Sequence, residues 1–311
     1  MENRRTFIRN SVVAGMALSL GGWPLDAFAK KEVAKITILH TNDVHSQIDP
    51  FPANHPKFPN MGGANRRMIM INHIRATEKN VLLLDAGDMF QGTPYYNKYK
   101  GELELKLMSQ MKYDAGCIGN HDFDNGVDAL SKILFNANFP LIVSNYNFDN
   151  TPMKGKTLPY KIFIKDDIKI GVFGLGIELR GLVDKNLSGD TQYHDPVVAA
   201  AQQSLYLKEE EKCDLIICLS HLGFKYKDEK ISDIALAKQS KNIDLIIGAH
   251  THTFLDEPIN IINRDGKKVL VAQAGWAGLR LGRIDFYFEK NTKKKMHEAS
   301  TLKIFNYASA I

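Results

Sequence analysis

Five short apolar runs in this chain each end in a cluster of metal-ligand side chains, and that recurrence restricts the fold more than any other feature. The clusters are Asp43-Val44-His45, Gly87-Asp88, Gly119-Asn120-His121-Asp122, Ser220-His221 and Gly248-Ala249-His250-Thr251-His252. The runs before them are rich in aliphatic and β-branched residues, which favour strands. In open α/β sheets, sites form in the crevice beyond the carboxyl ends of strands, so residues far apart in sequence converge there. Asp43 and His45 are two apart, as are His250 and His252. Extended backbone sends such residues to the same side, so each pair can face one cavity. Gly87, Gly119 and Gly248 precede ligand-type positions, where tight turns and close backbone approach are needed.

Between these runs the apolar period becomes helical, which predicts an α/β layered domain. Strands are expected at Lys35–His40, Val81–Asp85, Ala115–Ile118, Leu141–Ser144, Ile168–Gly174, Leu215–Leu219, Leu245–Ile247, Val269–Gln273 and Arg283–Phe288. Several are apolar on both faces and belong in sheet interiors. Helices are expected at Ala64–Glu78, Glu102–Met111, Val127–Asn136, Pro196–Lys212 and Ile231–Gln239. In the second of these, Leu103, Leu107 and Met111 form an apolar stripe, read as core. Phe51–Gly63, rich in Pro, Asn and Gly, reads as a long loop, and Thr151–Pro159 as a second. Gly174-Leu175-Gly176 has no third glycine at dinucleotide-loop spacing and reads as a turn.

The ligand-type residues divide into two sets. Asp43, His45 and His252 can serve one ion, Asn120, His221 and His250 another, and Asp88 can bridge them. Two carboxylates among neutral ligands leave two divalent ions with residual positive charge. Ions ~3.5–4 Å apart can hold both the attacking and the leaving oxygen of an in-line displacement. Mixed imidazole, carboxylate and amide ligands fit manganese, zinc or iron better than an all-oxygen magnesium cage. His40, His55, His73, His194 and His297 lack ligand-type partners at matching spacing and are read as structural. Asp85 is expected to orient its loop through hydrogen bonds rather than to bind an ion.

Thr41-Asn42-Asp43-Val44-His45, Asp85-Ala86-Gly87-Asp88, Gly119-Asn120-His121-Asp122-Phe123-Asp124, Ser220-His221-Leu222-Gly223, Gly248-Ala249-His250-Thr251-His252 and Val271-Ala272-Gln273-Ala274-Gly275 resemble motifs of one family. It is the calcineurin-like metallophosphatase domain of the 5'-nucleotidases, UDP-sugar hydrolases and 2',3'-cyclic phosphodiesterases. The resemblance runs from about Ile36 to Phe288 and implies a four-layer α-β-β-α sandwich of the metallo-dependent phosphatase type. It further implies that Asp43, His45 and His252 bind a first metal, Asn120, His221 and His250 a second, and Asp88 both. Some relatives carry Gln at the position of His252. His121 with Asp124 resembles the family's catalytic dyad, and Asn120 and His121 are the implied substrate contacts. Asp122 stands where Glu is common and is expected to face away from the metals. The implied reaction is hydrolysis of a small phosphate ester, a nucleotide above all, by metal-bound hydroxide.

Typical members continue into a second domain that supplies the nucleotide pocket, whereas this sequence ends at Ile311, soon after its last predicted strand. Three expectations follow. A separate chain supplies that pocket to a metal-bearing subunit, or the protein acts on less demanding esters, or its own loops select the substrate, with Phe51–Gly63, Tyr95 and Tyr96 as candidates. A sulfur-compound hydrolase on the same scaffold is a further alternative.

The N-terminus carries a different signal. Asn3-Arg4-Arg5-Thr6-Phe7-Ile8 is a twin-arginine pattern, Ser11–Gly22 a short apolar run, and Ala27-Phe28-Ala29 a cleavage site. Residues 1–29 are therefore expected to be an export leader to the periplasm and 30–311 one metallophosphoesterase domain without a membrane anchor. The formal net charge of +5 suits anionic substrates without singling out nucleic acid, which is not an expected partner. Cys117, Cys213 and Cys218 lie in or beside apolar runs and are read as buried thiols.

Overall fold

The computed structural model describes residues 33–289, 292 and 294–305. The expected export leader lies outside the described residues. Among them, no helix is long and apolar enough to cross a membrane.

Strand residues point alternately to opposite faces of a sheet, and here both faces are apolar. Leu82 and Leu84 enter one core cluster, while Leu83 between them enters another. Leu215, Ile217 and Leu219 enter the first cluster, while Ile216 and Cys218 enter a third. Such sequences must be covered on both sides, and the chain meets this with two facing sheets between helical layers. The expected four-layer α-β-β-α sandwich is what forms.

Three of the strands that lead into the site, β1 (Val33–Thr41), β2 (Val81–Asp85) and β3 (Ala115–Gly116), run parallel as neighbours. The short β4 (Leu141–Ile142) continues their sheet, and β5 (Tyr146–Asn147) lies outside it. Beyond them come β6 (Thr157–Leu158), β7 (Tyr160–Lys165), β8 (Ile168–Leu175), β9 (Gln192–Tyr193), β10 (Leu215–Ser220), β11 (Leu245–Gly248), β12 (Ile259–Ile262), β13 (Lys268–Ala272), β14 (Arg280–Glu289) and β15 (Lys295–Lys303). The first sheet has the order β15-β14-β1-β2-β3-β4-β6, and the second β12-β13-β11-β10-β8-β7. Register aligns the strand ends: Thr41 pairs with Asp85 in one sheet and Ser220 with Gly248 in the other. Every ligand-type cluster thus begins at the same edge of its sheet.

Helices α1 (Ala64–Thr77), α2 (Pro94–Tyr99), α3 (Glu102–Gln110) and α4 (Val127–Ile133) follow the first strands. Ile71, Ile74, Leu105, Met108 and Leu130 from these helices join Leu83 in one cluster. The short α5 (Lys185–Ser188) precedes α6 (Pro196–Glu209) and α7 (Asp233–Gln239), which cover the second sheet through Ala199, Leu207, Leu236 and Ala237. Asp195 caps α6 by accepting from the backbone of Val197 and Val198, with Pro196 at the first helical position, and Ser232 caps α7.

Three sequence readings need correction. The buried residues of α3 are Glu104, Leu105 and Met108, with Met111 just after it; of the expected stripe Met111 is buried, Leu107 packs on the core only partly buried, and Leu103 is not in that cluster. That helix has apolar residues on adjoining rows, and its neighbours choose between rows that periodicity cannot rank. The last predicted strand is followed by another, since β15 pairs antiparallel along β14. Its sequence, KMHEASTLK, lacks apolar alternation because it is an exposed edge; β7 and β12 also lie at sheet edges, and α2 is only one and a half turns long. Gly174 serves close approach rather than a turn: it lies within β8, and a Cβ there would collide with the Ile142 carbonyl oxygen.

All three cysteines are buried free thiols, and burial pushes Cys117 up to about 12 and Cys213 to about 11. Among the histidines read as structural, His40 is buried in β1 against Gly282, where a Cβ would collide with its ring. Burial lowers it to about 4, so it packs as a neutral ring.

Candidate metal centre

The site forms where both sheets end, and its backbone is unusual. Asp43, His45, Asp88, His250 and His252 have φ of 49°, 50°, 55°, 68° and 53°. Non-glycine residues rarely occupy this left-handed region and persist there only when their surroundings over-determine them. Those surroundings are visible. The Asp43 backbone N–H donates to the Gly87 carbonyl at 2.9 Å and that of His45 to the Asp88 carbonyl at 3.1 Å. The His250 N–H donates to both Asp43 carboxylate oxygens, at 2.9 and 3.0 Å, which ties one sheet to the other. Asp122 accepts from four backbone N–H groups, those of Gly119, Asp88, Met89 and Phe90, at 2.8–3.2 Å. It anchors two site loops at once.

Two groups of donor atoms result. One is Asp43, His45 and His252; the other is Asp88, His221 and His250; within each, the atoms lie within 4.8 Å of one another. Asn120 joins the second group, its Oδ1 2.9 Å from His250 Nδ1. Asp88 Oδ2 stands between the groups, 3.1 Å from His221 Nε2 and 3.8 Å from His45 Nε2. All seven residues named from the sequence are therefore brought together, with Asp88 in the middle. His121 and Asp124 are beside them: the His121 N–H donates to Asp88 Oδ1 at 2.8 Å, its ring lies 5.2 Å from that of His45, and its Nδ1 is 2.8 Å from Asp124 Oδ2.

The donor set asks for cations. His221 Nδ1 lies 2.9 Å from the Ala86 carbonyl, an acceptor only, so Nδ1 carries the hydrogen. The ring's fully buried Nε2 faces Asp88 Oδ2 at 3.1 Å, a position that either a second ring proton or a metal ion has to fill. His45 repeats the pattern. Its Nδ1 is 3.2 Å from the Phe90 carbonyl, and its Nε2 faces His252 Nε2 at 2.9 Å. Two ring nitrogens that close need a proton or a metal ion between them. In the ion-free protein a proton fills that role at His221: burial opposes it, but Asp88 and Asp43 outweigh burial and raise His221 to about 10. Correspondingly, His221 and His45 outweigh burial at Asp88 and hold it well below the usual carboxylate range. At His250 and His252 burial, together with the nearby imidazoles, disfavours a second ring proton and lowers them to about 3 and about 4, so both rings stay neutral and keep one nitrogen free for a metal. The residues present fit two divalent ions. Carbonyl-anchored imidazoles are also the arrangement that fixes tautomers in metal sites.

Several supporting residues went unassigned in the sequence reading. Asn42 donates from Nδ2 to Asp43 Oδ2 and to the Gly275 carbonyl, both at 2.6 Å, and its Oδ1 accepts from Ala274. Gln273 donates to the Ala249 carbonyl at 2.7 Å and accepts from Thr251 and Thr253. Asp233, fully buried, accepts from Ser220 Oγ at 2.5 Å, and a Cβ on Gly248 would collide with its other oxygen. Asn42 and Gln273 lie inside quoted motifs; Asp233 opens a helix and carried no local signal. Asp85 accepts from the Gly87 N–H and from Thr41 Oγ1, so it orients the loop. Tyr96 is buried against Phe90, and Tyr95 donates to Asp49, so neither points at the donor groups. His40, His55, His73, His194 and His297 join neither group.

Comparison with known proteins agrees with this geometry. Residues 36–254 match the model of the family described as calcineurin-like phosphoesterase. The chain is 34% identical over 288 residues to the trifunctional nucleotide phosphoesterase protein YfkN of Bacillus subtilis, covering 82% of this chain and 18% of that protein. It is 32% identical over 300 residues to human 5'-nucleotidase, covering 89% and 50%. The crystal structure of a 5'-nucleotidase precursor from Thermus thermophilus superposes with a TM-score of 0.79 at 29% identity, covering 87% and 55%. The chain thus spans about half, or less, of the length of these relatives. With the matched segment containing all seven donor residues, the chain belongs to the calcineurin-like phosphoesterase family.

Proposed function

We propose that this protein is a two-metal phosphoesterase that hydrolyses phosphate esters, nucleotides foremost. The observation that carries the reading is Asp88 lying between two groups of imidazoles whose nitrogens face one another or its carboxylate. Asp43, His45 and His252 would hold one ion, Asn120, His221 and His250 the other, and Asp88 both. When bound, such ions supply Lewis-acid stabilisation of the charge on a phosphoryl group. The nucleotide preference is supported by the names of the relatives, two of them 5'-nucleotidases and one a nucleotide phosphoesterase.

The chain's own contribution is orientation and proton handling. Asp124 accepts from His121 Nδ1, which leaves Nε2 free of that bond. The imidazole is 37% exposed, so it can reach an ester held at the donor groups. A proton on Nε2 would pass to the departing oxygen, or would balance charge on the phosphoryl group without leaving the ring. Asn120, with its amide beside His250, would present an N–H to the phosphate.

The test loads the purified protein with manganese and offers p-nitrophenyl phosphate, adenosine 5'-monophosphate and bis-p-nitrophenyl phosphate. Metal-dependent turnover, highest on the nucleotide, is expected. A protein shown to hold two ions per chain that hydrolyses none of the three sinks the reading.

We also infer export, from the twin-arginine pattern and cleavage site in residues 1–29. Protein recovered from a periplasmic fraction is then expected to begin at Lys30. Intact-mass measurement checks this, and an uncleaved chain in the cytoplasmic fraction alone counts against it.

A further inference from the structure

Phe51–Gly63, the long loop after β1, is not a free flap. The Phe51 N–H donates to the Met61 carbonyl and the Gly62 N–H to the Ile304 carbonyl, each at 2.8 Å, and the Phe58 N–H donates to His55 Nδ1 at 3.0 Å. Its aromatic side chains are thereby held against Phe254 and Trp276. Phe51 meets Trp276 edge-on at 6.0 Å, Phe58 lies 6.0 Å from Phe254, and His55 stacks on Phe58 at 5.6 Å. Arg280 covers Phe254 at 4.9 Å.

This aromatic wall abuts the donor groups. The Trp276 ring lies flat on His252, with centroids 5.7 Å apart and planes 10° from parallel, and the His252 side chain is itself 40% exposed. The backbone on either side of Trp276 is tied to the site: the Ala277 N–H donates to the Asp43 carbonyl at 2.7 Å, and Asn42 donates to the Gly275 carbonyl. Gly275, at φ 84°, brings its backbone so close to Phe254 that a Cβ would collide with that ring. Phe51, Ala277 and Leu279 are buried and make a small core. Phe58, Phe254 and Trp276 remain only partly buried around it, next to the most open residue of the donor groups.

Ordered, partly exposed rings beside the donor groups are suited to one kind of ligand. A flat aromatic ring stacks on them whatever its edge groups, because every base has a π-face. The wall is already ordered, so little conformational entropy is lost when a ring docks. We propose that Trp276, with Phe58 and Phe254 beside it, forms the subsite for a nucleobase carried by the ester. This rests on the phosphoesterase reading and adds that the described domain discriminates nucleotides from sugar phosphates by itself.

The sequence contains two tryptophans, Trp23 and Trp276, so fluorescence reports on the wall once a Trp276→Phe variant has been used to subtract Trp23. In manganese-loaded protein, adenosine 5'-monophosphate is expected to quench the Trp276 emission, and ribose 5-phosphate is not. Trp276→Ala is expected to lower the ratio of kcat/KM for adenosine 5'-monophosphate over ribose 5-phosphate by roughly 10- to 100-fold, the range of one base–aromatic stack. Trp276→Phe should keep most of that ratio. Equal quenching by both ligands, or none by either, overturns the proposal. So does an unchanged ratio in Trp276→Ala, with both rates falling together and bound metal lost, because Trp276 then only props His252. Should the wild-type protein hydrolyse neither ester, the phosphoesterase reading fails, while selective quenching would still support a base subsite.

Discussion

Asp88→Asn is expected to remove most bound metal and to lower phosphoester turnover by more than roughly 100-fold, beyond the 10–100-fold that loss of an outer hydrogen bond costs at a metal site. Asp88 is 1% exposed, and its Oδ2 lies 3.1 Å from His221 Nε2 and 3.8 Å from His45 Nε2. The substitution removes one of the two carboxylates in the donor groups while leaving the shape almost unchanged. Its other oxygen accepts from the His121 N–H, and an amide oxygen can still accept there, so the fold should survive. The effect separates charge from shape. Metal content by elemental analysis, read beside circular dichroism, checks it. A folded Asp88→Asn protein that keeps two ions and near-normal turnover would remove Asp88 from its proposed bridging role.

His121→Ala is expected to retain both ions and lose roughly 100- to 10,000-fold in kcat, the range for a positioned acid–base group. None of the seven donor residues changes, so metal content distinguishes this variant from the previous one. The pH profile gives a second reading. The hydrogen bond to Asp124 raises His121 above its ordinary value; burial opposes this, and Asp88 adds to it. If the imidazolium is the working form, activity is present below that raised value and is lost as pH climbs through it. Asp124→Asn replaces a charged acceptor with a neutral one, lowers the His121 value and moves the alkaline fall to lower pH. An alkaline limb that stays put, or moves upward, in Asp124→Asn would argue that His121 acts as a neutral hydrogen-bond donor instead.

Much of the site was legible before any coordinates because its residues sit directly after strands. A strand end is visible in sequence as the point where an apolar run meets glycine and polar side chains, as at Asp85-Ala86-Gly87-Asp88. The two-residue spacing of Asp43 with His45, and of His250 with His252, was expected to act through extended backbone; the residues are instead left-handed, and His250 and His252 serve different donor groups. What supports the site was less visible. Asp122 looked like a substituted motif position and turns out to accept from four backbone donors across two loops. Asp233 lies more than ten residues from the nearest donor residue and reaches Ser220 only through the packing of α7. The edge strands β7, β12 and β15 escaped because exposed edges need no apolar alternation.

The sequence by itself determined the layered α/β class, the strands that end at the site, and which ligand-type residues follow them. Local chemistry accounts for this, since period, turn residues and ligand types are properties of short segments. Only the tertiary structure decided that three of the clusters come from one sheet and two from the other, that backbone carbonyls at Nδ1 leave Nε2 of His221 and His45 toward the donor groups, and that the loop at Phe51–Gly63 is pinned against Trp276. Each of those depends on which distant segments share a surface. Burial and register across sheets set that, and no window of sequence contains it.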